Sequence, residues 1–107
     1  MENQHKMIKG YRDLSLEEVG LMNRIKTKGA ELLALQEELA NRLDTDFESK
    51  QAEAKRSQCA PNDFSSVEYQ EFNRFKSAEP QRWAAIGKTD IQTGIMALVR
   101  AVAQPTT

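Results

Sequence analysis

At 107 residues the chain has the length of one domain, and with 39% hydrophobic and 29% charged residues it is neither disordered by composition nor membrane-like. Its single cysteine, Cys59, excludes an intrachain disulfide, and its single histidine, His5, argues against a zinc site and against Cys–His or Ser–His chemistry within one chain. The net charge of −1 is uneven: residues 1–28 and 81–107 each stand at +2 and residues 29–80 at −5, which suits either an anionic ligand held by the two ends or plain solvated helix faces.

Residues 1–14 show no sustained period, and the opening MENQHKMIKG lacks the apolar stretch of a secretory signal, so the cytosol is the expected compartment. Ser15-Leu16-Glu17-Glu18 reads as a capping box, the Ser15 hydroxyl accepting from the Glu18 amide and the Glu18 carboxylate from the Ser15 amide. Met22, Ile25, Gly29, Leu32, Leu39 and Leu43 then follow helical spacing and predict an amphipathic helix of about 28 residues. Gly20 and Gly29 each cost about 1 kcal/mol inside it, and a close approach by another helix, or by a ligand, is the expected compensation, with helix packing preferred.

Residues 44–80 differ in character. Glu48–Arg56 has good helix formers but little apolar stripe, which predicts a solvated helical extension. Cys59-Ala60-Pro61-Asn62-Asp63 is turn chemistry. Ser65-Ser66-Val67-Glu68 repeats the capping-box pattern, with Phe64 and Tyr69 spaced as a hydrophobic staple. The next turn buries Tyr69, Phe72 and Phe75 and ends near Pro80. This stretch reads as a peripheral helical hairpin too short for a core of its own.

Pro80 suits a helical first turn, and from Gln81 to Ala103 only Gly87 and Gly94 interrupt good helix chemistry. Trp83, Ile86, Ile91, Ile95, Met96, Leu98, Val99 and Val102 occupy more than one face of that helix. A chain this small has too few helices to cover it, so self-association through small-residue contacts is expected, with a monomeric three-helix bundle as the alternative. The expected architecture is all-α. A long N-terminal helix and an apolar C-terminal helix form a helical hairpin, carrying an inserted peripheral helical hairpin, in a homo-oligomer. One domain, 1–107, comprises an arm (1–14), a first core helix (15–43), an inserted segment (44–80) and a C-terminal core helix (81–105).

No catalytic constellation is visible, and no enzyme activity, cofactor or metal is expected. Ile86-Gly87-Lys88-Thr89-Asp90 lacks the spacer and preceding strand of a phosphate-binding loop. Binding chemistry remains. Tyr11 offers a flat face for stacking a base or, equally, an anchor for the arm. Arg12 offers a planar fork for phosphate or a base edge. Lys26 sits three turns into the first helix, with Lys28 nearby but rotated away; taken alone it reads as a solvated lysine. His5 reads as an arm residue, Cys59 as a loop thiol, and Trp83 as core or subunit interface.

The opening Asn3–Ser15, the stretch Leu21-Met22-Asn23-Arg24-Ile25-Lys26 and the closing Arg82–Pro105 resemble the phage anti-CBASS cyclic-nucleotide sponges. These are small helical-hairpin proteins that sequester the second messengers of a bacterial immune system. The resemblance covers residues 3–43 and 81–105, with 44–80 looking like an insertion relative to shorter members. A second branch of the superfamily, the anti-Thoeris sponges, takes cyclic ADP-ribose-type signals. The resemblance implies a homohexamer, acting in the cytoplasm of an infected bacterium, with two kinds of pocket and no DNA or membrane partner. One pocket, between paired subunits, takes cyclic dinucleotides such as cyclic GMP-AMP through Tyr11 and Lys26. The other, near a threefold axis, takes cyclic trinucleotides, with Arg82 carried over to it and Lys88 and Thr89 as neighbours on the same helix face.

The residues themselves are compatible with that picture. A cyclic dinucleotide has two bases, two phosphates and approximate twofold symmetry, and an isologous dimer supplies one Tyr11 and one Lys26 to each half. Two other functions remain open on the sequence: a helical adaptor using the acidic middle segment to bind a host protein, and a phosphodiesterase degrading the signal.

Overall fold

Ser15 opens the first helix with the reciprocal cap its spacing predicts. In the computed structural model, which describes residues 12–106, the Ser15 amide donates to Glu18 Oε1 at 2.9 Å and the Glu18 amide to Ser15 Oγ at 3.1 Å. Helix α1 then runs from Leu16 to Arg56, 41 residues without a break. The expected end near residue 43 is therefore corrected. The weak helix formers Asp44, Thr45 and Asp46 are carried through, and the Thr45 hydroxyl donates back to the Asn41 carbonyl at 3.2 Å, so its competing polar group is satisfied inside the helix. The helix stops at Ser57, whose hydroxyl donates to the Ala54 carbonyl at 2.7 Å.

Helix α2, Val67–Ala78, is capped by Ser66, whose hydroxyl accepts from the Tyr69 amide at 3.0 Å. The cap falls one residue later than the Ser65–Glu68 pattern suggests. Asp63 Oδ1 accepts from both the Ser65 amide (3.0 Å) and the Ser65 hydroxyl (2.6 Å), so Ser65 is already engaged. The Phe64 and Tyr69 rings nonetheless meet, with centroids 4.8 Å apart. Glu79 ends α2 in the left-handed region (φ 51°), donating its amide to the Lys76 carbonyl at 3.1 Å, and Pro80 begins α3, Pro80–Ala103. All regular structure among the described residues is helical, and none of these helices is long and apolar enough to cross a membrane.

The described residues divide into two compact units, 12–34 with 89–106 and 35–88. In the second unit Phe47 packs edge-on to Phe72 (5.4 Å) and tilted to Phe75 (6.4 Å). Ala54 is wholly buried, and Phe72, Phe75 and Ala84 nearly so. The expectation of a solvated extension over 48–56 fails here. Phe47 and Lys50 are half-buried and Ala54 buried along α1, with the Lys50 ammonium 5.7 Å from the Phe75 ring centroid and 3.0 Å from Glu71. Polar clamps complete this unit: the Gln36 amide donates to the Ala84 carbonyl at 3.0 Å, and the Gln81 amide to Asp44 Oδ1 at 2.7 Å.

In the first unit, Met22, Ile25 and Leu33 are half-buried and Gly29 is buried. A Cβ at Gly29 would come within 2.6 Å of Ile95 Cγ1, so the close helix approach predicted there exists. Gly20 meets nothing within 4 Å. Leu32 and Leu39, read as core positions, are half exposed, because the buried stripe passes through Leu33 and Ala40 instead. On α3, Trp83, Met96 and Leu98 are all more than half exposed, as a helix apolar on several faces requires.

Candidate ligand-binding site

Tyr11 and His5 lie outside the described residues. Arg12 is the first residue described, and its guanidinium is fully engaged. Nε donates to the Ala103 carbonyl at 3.1 Å, and Nη2 to the Val102 carbonyl at 2.9 Å and to Glu18 Oε2 at 2.6 Å. Nη1 reaches Glu18 Oε1 at 3.4 Å and the Asp13 carbonyl at 3.5 Å. Each of the five N–H groups of the fork thus has an acceptor. The hydrogen bonds from Arg12, and then from the Ser15 amide, hold the Glu18 carboxyl below its ordinary value. As a free phosphate fork, the role its chemistry suggested, Arg12 has no donor to spare.

Lys26 is exposed and has no hydrogen bond or ion pair with any other described residue. At about 100° per residue it stands on one flank of the Met22–Ile25–Gly29–Leu33 stripe, with Arg24 and Lys28 on the other. That second flank carries a feature that composition alone does not announce. Leu21, Ile25, Gly29, Leu32, Ile95 and Leu98 line an apolar groove of about 390 Å³, joined by Arg24 and Lys28. The spacing of Leu21, Arg24, Lys28 and Leu32 along one side of the helix is the signal that could have found it. Lys28 also pairs with Glu31 at 3.6 Å.

Arg82 and Lys88 belong to the other unit. The Arg82 guanidinium is exposed, 3.4 Å from Glu79 Oε2, and sits 5.4 Å from the Trp83 ring centroid. Arg82 and Thr89 lie within about 20° of one another around α3, whereas Lys88 is about 120° from Arg82. Lys88 therefore does not share the Arg82 face, which corrects the expectation that it would; Thr89 does, and both Lys88 and Thr89 are exposed. Cys59 is an exposed thiol in the turn after α1.

A family model described as the Acb2/Tad1 hairpin domain matches residues 3–103. Anti-CBASS protein 2 of Pseudomonas phage JBD67 is 64% identical over 105 residues, 98% of this chain and 97% of that relative. The family match spans residues 44–80, and the alignment with this relative covers 97% of its length.

Proposed function

The chain belongs to the Acb2/Tad1 hairpin family, and from that premise we propose that it is a phage immune-evasion protein that binds and sequesters cyclic oligonucleotide messengers without degrading them. The observation that carries the proposal is the 64% identity, along nearly the whole of both chains, to a relative named for opposing CBASS. In this reading the chain is a homohexamer. Cyclic dinucleotides bind between paired subunits, each subunit contributing the Tyr11 ring as a stacking face and the Lys26 ammonium to a phosphate. Cyclic trinucleotides bind a second pocket through Arg82.

Two features of the single chain support this reading. The Lys26 ammonium has no internal partner among the described residues, so an incoming phosphate displaces none of them. The exposed apolar residues Trp83, Met96 and Leu98 on α3 offer surface that an assembly would cover.

Calorimetry with a cyclic dinucleotide and a cyclic trinucleotide tests the assignment. Lys26→Ala should weaken dinucleotide binding by about 2–5 kcal/mol, the range for removing one partner of a buried charge pair. Tyr11→Ala should lose about 1–3 kcal/mol per stacked base while trinucleotide binding survives, and Arg82→Ala should show the reverse pattern. Equal loss of both ligands in each variant would contradict the two-pocket reading.

A further inference from the structure

Arg12 stands immediately after the proposed stacking residue, yet its guanidinium is spent within the chain. The carbonyls of Val102 and Ala103 that it engages lie in the last turn of α3, where helix carbonyls lack intrahelical donors and a cation is favoured by the helix dipole. The Glu18 carboxylate that it engages also holds the Ser15 amide at the start of α1. One guanidinium thus joins three things at a single point: residue 12 itself, the first turn of α1 and the last turn of α3. We infer that Arg12 is a positioning residue rather than a ligand contact, fixing the point at which the chain after Tyr11 joins the ends of α1 and α3.

The inference rests on the reading of Tyr11 as a stacking group. Covalent geometry sets the Cα of residue 11 about 3.8 Å from that of Arg12, so whatever fixes Arg12 restricts where the neighbouring ring can reach. A planar fork is needed for this. It spans a carboxylate and two successive carbonyls at once, whereas a lysine presents a single nitrogen. Fixing Arg12 before the ligand arrives removes part of the ordering cost of binding.

A neutral, near-isosteric change at Glu18 separates positioning from contact. Glu18→Gln retains a capping-box side chain for the Ser15 amide but removes the charge that holds Arg12. If Arg12 positions the arm, Glu18→Gln weakens cyclic GMP-AMP binding roughly threefold to tenfold, read well below its own melting temperature, and Arg12→Ala combined with Glu18→Gln is no worse than Arg12→Ala alone. Arg12→Lys should fail to restore the affinity. If Arg12 instead meets a phosphate, releasing it from Glu18 leaves affinity unchanged or tighter, which would overturn the inference. Amide hydrogen exchange at residues 12–15 reads the clamp without any ligand. It should speed up in Glu18→Gln and Arg12→Ala, and unchanged exchange would also overturn the inference. Absence of cyclic GMP-AMP binding by the unaltered chain, with exchange responding as expected, would instead reject the ligand reading and leave the clamp standing.

Discussion

Glu71 shows how much a single carboxylate can gather. It accepts from Arg74 Nη2 at 2.6 Å and Nε at 2.7 Å, and from Lys50 Nζ at 3.0 Å, which ties α2 to α1. The Arg74 hydrogen bonds, and then Lys50, pull its pKa from the usual 4.5 down to about 2. A carboxyl depressed on folding adds stability that is complete above its unfolded value and disappears as pH falls through its folded value. Glu71→Gln should therefore narrow its stability gap to the unaltered chain as pH drops from 4.5 towards 2, read as the difference between their thermal midpoints. A gap that does not change with pH would contradict this. The Glu71–Arg74 pair is legible as a three-residue helical spacing, but Lys50 lies 21 positions from Glu71 and no local pattern announces it. The same distinction holds at Arg12. Its charge and planarity are evident in the sequence, whereas its engagement by the Val102 and Ala103 carbonyls depends on a contact some 90 residues away.

At the scale of elements, the legible features are those set by neighbours: the Ser15–Glu18 cap, the Phe64–Tyr69 contact, the turn after α1 and the start of α3 at Pro80. The length of α1 is not among them. Beyond residue 43 Ala54 is buried and Phe47 and Lys50 are half-buried, and neither a lysine nor a lone alanine registers as an apolar stripe. The two glycines of α1 look alike in sequence and part company in the structure. A Cβ at Gly29 collides with the Ile95 side chain, while one at Gly20 meets open space. Gly29→Ala should destabilise the protein by about 1–3 kcal/mol through overpacking, and Gly20→Ala should stabilise it by up to about 1 kcal/mol through helix propensity. Urea unfolding of both variants checks the pair. Stabilisation by both would mean that Ile95 moves aside at no cost and that the close approach does not constrain the helices.

At the scale of the whole molecule, the described chain buries few large side chains: Phe72 and Phe75 are the two large hydrophobics in its core, while Leu35, Trp83, Met96 and Leu98 stay more than half exposed. That imbalance is readable in the sequence as a C-terminal helix apolar on several faces. Which faces remain open is not, because it depends on the path of α1 and α2. Light scattering at micromolar concentration should therefore give a mass of several chains, six on the proposed reading, and a stable single-chain mass would remove the basis for pockets shared between subunits. The central claim is capture without turnover. Incubating the protein with cyclic GMP-AMP, removing the free ligand, denaturing the protein by heat and analysing the released nucleotide tests it most directly. The account predicts depletion of the free messenger before heating and recovery of the intact cyclic molecule afterwards. Recovery of a linear product, or no depletion of this or any other cyclic oligonucleotide, would contradict it.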